Sequence, residues 1–332
     1  GVCTMTIYDI ADIAKVSPST VSRVLNGKSG VKKEKRDQIL QLLQENNFNL
    51  KMAKQAAPTK CSRVVGIIVP DVQNLCYMEG THQLANFLDQ SGFSVIIMNG
   101  GETDEQRGTT VTCMSKRGVE AIILVGAKFG STNVHDAIRD YLSDIPVFTV
   151  NSHFDLPNVY SFVADEEYGV KQCVEYLYRK GRRKPLLLLE KDCPSSIPKR
   201  DGFIAGCSEY DDVRCHIYDD IIGLGLDTRQ AIRLALAEAP ECDAIICSDD
   251  HLAAYALQQM QHLGYTSPEQ ISIVGMGNTC FCKITRPCLT SISTRLTDGC
   301  MQAGQALLQV LDGQELPHHT PLLCEMIIRE ST

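Results

Sequence analysis

The sequence predicts an α/β protein in two parts: a small all-helical head and a larger body built from doubly wound parallel sheets. Three observations carry this. The N-terminal segment shows helical periodicity and helix caps without a strand-like run. From Val64 onward, short β-branched apolar runs alternate with amphipathic stretches. Charge divides at the same place. Residues 1–60 hold ten Lys/Arg against five Asp/Glu, a net of +5, and the remainder holds 22 against 35, a net of −13. A basic head on an acidic body suits a protein that touches phosphates with one end only.

The head reads as three helices. Thr6 is placed to cap the first, whose apolar face is Ile7, Ile10, Ile13 and Ala14, with Asp9 in the first turn. Ser17 followed by Pro18 is a cap with proline at the first helical position. That second helix runs to about Asn26, burying Val21, Val24 and Leu25, and stops before Gly27. A third, about Lys33 to Asn46, turns Ile39, Leu42 and Leu43 inward. A helix, a tight turn and a second helix opening on small polar residues suit entry into the DNA major groove. Ser17, Ser19, Thr20 and Ser22 let the backbone approach phosphates and bases, and Arg23 can grip a guanine edge with two donors. The competing reading of the same residues is a plain helical bundle with a serine-rich surface.

In the body, strand candidates are 64–70, 94–99, 121–126, 147–150, 185–190, 244–248, 271–276 and a final run at 322–330. Amphipathic stretches lie between them, among them Asp104–Lys116, Glu166–Lys180, Asp227–Glu238 and Asp250–Leu263. Alternation of buried strands with helices argues for parallel sheets wound on both faces. So many strands call for two sheets rather than one. The stretch Leu50–Cys61, with Ala56-Ala57-Pro58, reads as the linker.

Composition excludes several classes. Apolar residues are 44% and charged residues 22%, ordinary for a globular chain. The longest apolar runs, such as Val64–Val69 and Leu186–Leu189, are far short of a membrane span, and no secretory leader is evident. A cytoplasmic protein with no membrane partner is expected. The fifteen cysteines include no CxxC pair and one CxC, Cys280 and Cys282, with Cys288 nearby. That spacing argues against structural zinc and for reduced thiols, with a redox-sensing role of the CxC as the alternative. No Gly-rich phosphate loop, nucleophile elbow or metal constellation is present, so no catalytic residue, cofactor or metal is expected.

The run TIYDIADIAKVSPSTVSRVLN, residues 6–26, resembles the headpiece of the LacI/GalR family of bacterial transcription regulators. The family pattern reads roughly T-[IL]-x-D-[IV]-A-x-x-A-x-V-S-x-x-T-V-S-R-x-[IVL]-N, and Thr6, Asp9, Ser17, Thr20, Val21, Ser22, Arg23 and Asn26 all meet it. The resemblance implies that Pro18 and Ser19 select operator bases and that Tyr8 contacts phosphate or base. Two departures stand out. The third helix usually opens V-S-x-x-T-R, where this chain has Val31, Lys32, Lys33, Glu34, Lys35 and Arg36. The family hinge resembles Y-x-P-N-x-x-A-R-x-L and wedges a leucine into the minor groove. Here the hinge positions are Leu50, Met52, Ala53, Ala56 and Ala57, without the proline and the wedge leucine. Either Met52 wedges in a shifted register, the kink is weaker, or the segment is a flexible tether.

The resemblance extends through the body at 65–74, 117–123, 271–275 and 287–293. It implies a two-lobed, periplasmic-binding-protein-like body. The expected domains are a headpiece at 1–49, a hinge at 50–61 and a body at 62–332. Within the body the N-lobe takes about 62–163 and 293–322, and the C-lobe about 164–292 and 323–332. It also implies a small-molecule effector between the lobes. Asn74 and Tyr77 fall on that pocket, with Phe154 a second aromatic candidate near its mouth, and packing is the equal alternative for both aromatics. Where sugar-binding members carry an Asp, an Arg, an Asn-Asp pair and a further Asp, this chain has Asn151, Lys199 beside Arg200, Asp249 with Asp250, and Gly277 followed by Asn278. Asp250 either joins Asp249 in that pair or caps the helix after it. The implied function is a homodimeric repressor of double-stranded operator DNA, answering to a sugar or sugar derivative. A non-sugar metabolite sensor and a redox-responsive regulator are the alternatives. Arg23→Ala is expected to cost roughly 1–3 kcal/mol of preference for the cognate operator over mismatched sites, measured by competition binding.

Overall fold

A computed structural model of the chain describes Ile10, Ile13, Ala14, Val16, Thr20, Val21, Val24 and residues 33–45, 63–189, 194–219 and 227–332. The chain divides into two units, Gly1–Ser62 and Arg63–Thr332. In the first unit, Ile10, Ile13 and Ala14 are helical, as are Thr20, Val21 and Val24, and helix α1 spans Lys33–Glu45. Ile10, Ala14, Val21, Val24, Ile39 and Leu43 form one buried cluster, with Leu42 and Val16 packed on its margin. Ile13, expected on the buried face, is 48% exposed. Ile10 and Ala14 are four apart and share the inward stripe, and Ile13 falls on its flank.

The second unit begins β1 (Arg63–Val69), α2 (Leu75–Gln90), β2 (Phe93–Asn99), α3 (Asp104–Ser115), β3 (Ala121–Val125), α4 (Thr132–Tyr141), β4 (Val147–Val150) and β5 (Val159–Asp165). It continues α5 (Glu166–Arg179), β6 (Pro185–Leu188), α6 (Ile197–Cys207), β7 (His216–Tyr218), α7 (Thr228–Glu238), β8 (Ala244–Cys247) and α8 (Asp250–His262). Then come β9 (Ser272–Met276), α9 (Phe281–Ile284), β10 (Thr290–Ser293), α10 (Leu296–Leu311), β11 (His319–Leu323) and β12 (Glu325–Ile327). These strands make two six-stranded sheets, β2-β1-β3-β4-β5-β11 and β7-β6-β8-β9-β10-β12. The first is parallel throughout, and in the second only the β10–β12 pair is antiparallel.

Both faces of each sheet are buried, which is why the strands read as near-continuous apolar runs. In the first sheet, Val65, Ile67, Ala121 and Ile123 enter one core cluster while Ile68, Ile122 and Leu124 enter another. The second sheet divides in the same way, Leu186, Leu188 and Ile245 on one side and Leu187, Leu189 and Ile246 on the other. Helix α10 follows a strand of the second sheet but buries Leu296, Cys300, Ala303 and Leu307 in the first lobe's core. It lies close against α2. A methyl group on Gly80 would come within 3.0 Å of Cys300 Sγ, and one on Gly304 within 2.8 Å of Leu84.

The expected terminal strand at 322–330 is corrected to two strands in different sheets, β11 and β12, with Cys324 alone between them. Pairing partner, not local pattern, divides that run: Leu322 and Leu323 bond to β5, whereas Glu325–Ile327 bond to β10. Strands β5 and β7 were not anticipated. Strand β5 places Ser161 among its buried positions, accepting from Thr149 Oγ1 at 3.0 Å, so one polar residue interrupts an otherwise apolar run. Helices α5 and α6 also meet at glycine. A Cβ on Gly202 would lie 2.2 Å from the Glu167 carbonyl oxygen, which is fixed backbone. Gly202→Ala is therefore expected to destabilise the second unit by about 1–3 kcal/mol through overpacking, read from the denaturant midpoint.

Candidate ligand-binding cleft

The loops at the carboxyl ends of both sheets line one cleft of about 730 Å³. That is the volume range and the location at which open parallel sheets hold small ligands. From the first lobe it receives Asp71, Asn74 and Tyr77 after β1, Glu102 and Arg107 after β2, Ser131 after β3 and Asn151 after β4. From the second come Glu166 after β5, Ser195 and Lys199 after β6, Asp249–His251 after β8, and Gly277, Thr279 and Phe281 after β9.

Three of the first-lobe residues are held by local backbone chemistry. Asn74 is the N-cap of α2, its side chain accepting from the Cys76 N–H at 2.9 Å. Asn151 sits at φ +62°, and its Oδ1 accepts from the Ala164 N–H at 3.1 Å. Asparagine tolerates that left-handed position better than most residues because its side chain bonds locally. Arg107 is buried at 6% exposure. Its Nη1 donates to the Gly101 and Glu102 carbonyls at 3.0 and 3.1 Å, and its Nη2 pairs with Asp104. Its Nε is buried without a hydrogen-bond partner, as is Ser131 Oγ.

The second-lobe wall is organised by acids. Lys199 Nζ donates to Glu166 Oε2 at 2.6 Å and to the Ser195 carbonyl at 2.8 Å, a buried ion pair linking the starts of α5 and α6. Asp249, not Asp250, is the N-cap of α8, accepting from the Leu252 N–H at 2.7 Å. The cap reading of Asp250 is thus corrected. Asp249 has the extended backbone of a cap (φ −154°, ψ 169°), and Asp250 is already inside the helix. Asp250 is instead a buried carboxylate. Its Oδ2 accepts from the Thr279 N–H at 2.6 Å and the Thr279 hydroxyl at 2.8 Å, and its Oδ1 accepts from the Ser291 hydroxyl at 2.6 Å.

Six expected contact positions therefore line the cleft: Asn74, Tyr77, Asn151, Lys199, Asp249 and Gly277. Arg200 and Asn278 do not. Arg200 points to Asp219 at 3.1 Å, because on α6 it lies about a quarter-turn from the inward Lys199. Asn278 accepts from Arg329 Nη2 at 2.6 Å. Phe154 is a core residue of the first lobe. Glu166 and Arg107 line the cleft without having been assigned to contact from the sequence, and Asp250, the other half of the expected acid pair, lines it as well. Glu166 had a signal, since an acid opening a predicted helix after a strand sits at a carboxyl edge, but β5 had not been recognised.

The headpiece positions Thr6, Tyr8, Ser17, Pro18, Ser19, Ser22, Arg23 and Asn26 lie outside the described residues, as do the hinge positions Leu50, Met52, Ala53, Ala56 and Ala57. Thr20 is described, as a half-buried helical residue. Among the described residues no His/Cys/Asp/Glu group has the makings of a metal site, and no helix is long and apolar enough to cross a membrane.

Of the CxC pair, Cys280 is exposed and Cys282 is buried. Burial and the Asp250 charge push the Cys282 thiol up to about 12, which keeps it protonated rather than reactive. Desolvation likewise raises Asp249 and Asp250 above the usual carboxylate value of 3.8, while their hydrogen bonds pull the other way. A carboxyl whose folded pKa is raised favours folding below 3.8 and loses that contribution as the pH climbs through its folded value. Asn caps a helix as well as Asp. Asp249→Asn is thus expected to match the parent in stability at pH 3.8 and below and to exceed it increasingly above, measured by urea unfolding across pH.

Residues 6–49 match the model of bacterial regulatory proteins of the lacI family, and residues 174–332 match that of the periplasmic binding protein-like domain. An HTH-type transcriptional regulator of Lachnoclostridium phytofermentans is 25% identical over 335 residues, covering 99% of each chain. The ribose operon repressor of Halalkalibacterium halodurans is 24% identical, over 98% of this chain and 97% of its own. Among solved structures, the Lac repressor bound to ONPG superposes with a TM-score of 0.72 at 21% identity, over 99% of both chains. The CelR–cellobiose complex does so with a TM-score of 0.69 at 19% identity, over 99% and 100%. At those identities the solved structures speak for the fold. The two family models, in this order along one chain and backed by full-length relatives, make it a member of the lacI family of bacterial regulatory proteins: DNA-binding transcription regulators with a helix-turn-helix head and a periplasmic-binding-protein-like body.

Proposed function

We propose that this regulator is a homodimeric repressor of a near-palindromic operator and that its effector is a hydroxyl-rich small molecule of the sugar class, bound in the cleft. The observation that carries the ligand class is the wall chemistry. Carboxylates from both lobes, Asp71, Glu166 and Asp249, line the same cleft as the Arg107 and Ser131 side chains. A hydroxyl donates to a carboxylate and accepts from a guanidinium N–H, so a polyol can meet both. Relatives point the same way: one is named a ribose operon repressor, and a structural neighbour holds cellobiose.

In this reading Asn74, Tyr77, Asn151, Lys199, Asp249 and Gly277 form the contact surface, joined by Arg107, Ser131 and Glu166. The headpiece assignments are those of the family pattern: Ser17, Pro18, Ser19, Thr20, Ser22 and Arg23 meet the duplex, with Thr6, Tyr8 and Asn26 supporting. The protein binds and does not catalyse. The coupling needs one thing only, that the ligand prefer one arrangement of the two lobes and DNA the other. Two heads on one dimer then read half-sites at a set helical spacing.

A thermal-shift screen of sugars, phosphosugars and nucleosides is expected to give its hit among the uncharged sugars. The same sugar should weaken the gel shift of a palindromic duplex at low salt. Asp249→Ala should abolish the sugar response and leave the gel shift intact. No shift of any such duplex would overturn the repressor reading, and a hit confined to nucleosides would overturn the sugar.

A further inference from the structure

The end of the head's first helix leaves a backbone carbonyl to be satisfied. Ile13 and Ala14 are helical and Val16 is already in a bend, so the Ala14 carbonyl belongs to the last turn. Carbonyls there have no donor inside the helix and find one elsewhere. The amide four residues on, which a continuing helix would use, belongs to residue 18, and residue 18 is proline. Proline has no N–H to give. Ala14 is also 1% exposed and a member of the buried cluster, so its surroundings offer little water in place of a protein donor.

A donor comes from the third helix. Lys35 Nζ donates to the Ala14 carbonyl at 3.2 Å and to Gln38 Oε1 at 3.0 Å. Lys35, Ile39 and Leu43 are each four apart on α1 and so share one face. Ile39 and Leu43 are buried in the cluster with Ile10 and Ala14, and Lys35 extends their stripe one turn further. That register carries its ammonium to the end of the first helix. A cation at that end can bond the last carbonyls and meets the negative pole of the helix dipole.

We propose that Lys35 is a positioning residue for DNA reading. It caps the first helix in place of the amide that Pro18 lacks, and so fixes the turn that leads into the helix of Thr20, Val21 and Val24. Its charge is committed to that carbonyl and not to a phosphate. A proline that removes a donor from the turn is matched by a lysine that returns one. This rests on the DNA-binding activity alone and is independent of the repressor and sugar readings.

The test is a double-mutant cycle in the full chain, Lys35→Met and Pro18→Ala singly and together. It is read as affinity for the duplex that the parent selects from a randomised library. Methionine keeps an unbranched stem and removes the donors. Pro18→Ala has a cost of its own, and the deciding quantity is whether the cost of Lys35→Met depends on it. Lys35→Met is expected to weaken binding roughly tenfold in the parent background, where it strands the carbonyl. In the Pro18→Ala background, which restores an amide, the same change is expected to cost less than about twofold. The slope of log affinity against log salt should stay that of the parent, whereas a lost phosphate contact would reduce it by about 0.9. Equal costs in the two backgrounds, a slope reduced by that amount, or no cost at all would each overturn the proposal. Should Lys35→Met unfold the head, amide exchange of α1 carries the same comparison. Protection restored by Pro18→Ala supports the cap, and a head unfolded in both backgrounds overturns it.

Discussion

The body depends on a single constraint: its chain passes between the two sheets three times, at the β5–α5, β10–α10 and β11–β12 junctions. Every loop that lines the cleft is placed by one sheet or the other, so the relation between cleft walls is set at those three passages. Each is short. Asp165 ends β5 and caps α5 through the Tyr168 N–H at 2.9 Å, and one residue, Cys324, separates the last two strands. The middle passage contains Arg295 at φ +51°, a strained position for a residue with a long side chain. A two-state motion of the lobes would have to be absorbed there, because the sheets on either side are packed on both faces.

The second lobe's wall is held by one buried carboxylate. Asp250 draws donors from the loop after β9 and from β10 to the start of α8. The glycines around it follow from that. A Cβ on Gly275 would lie 2.3 Å from Asp250 Oδ1, and Gly277 has φ +115°, a region L side chains rarely enter. The position where sugar-binding members carry an Asp is therefore closed to a side chain by backbone geometry. Hydrogen bonds to a charged group contribute about 1.5–3 kcal/mol each, and desolvating that charge offsets much of it. The network fixes geometry more than it adds stability.

The wall gains from this a rigid acid at its back and a softer one, Asp249, at its surface. The ion pair of Lys199 with Glu166 matters in a similar way. A lysine already committed to a carboxylate and a carbonyl presents less donor capacity to a ligand than an arginine fork would. The first lobe brings Arg107 to the opposite wall, its Nη1 held by the Gly101 and Glu102 carbonyls and its Nη2 by Asp104.

Strands whose two faces are both buried were legible as apolar runs, and β1, β3, β4, β8 and β9 emerged within a residue or two of expectation. Helices with a cap and a clear stripe were equally legible, α3, α5, α7 and α8 among them. Strand β5 was missed although five of its seven residues are apolar; its polar break, Ser161, is satisfied by Thr149 across the sheet, a partner no local window contains. The side-chain roles followed the same division. The family resemblance brought Asn151, Lys199 and Asp249 to the cleft, but which of Asp249 and Asp250 caps and which is buried depended on Thr279 and Ser291, distant in sequence.

The sequence by itself determined the two-part, α/β character of the body and its membership in a regulator family, because periodicity, caps and a dense headpiece motif are local properties. Only the tertiary structure decided the wall of the cleft and the splitting of the last apolar run between two sheets. Those depend on which strands pair and on where buried polar atoms find partners, and both are settled by contacts between segments that are far apart along the chain.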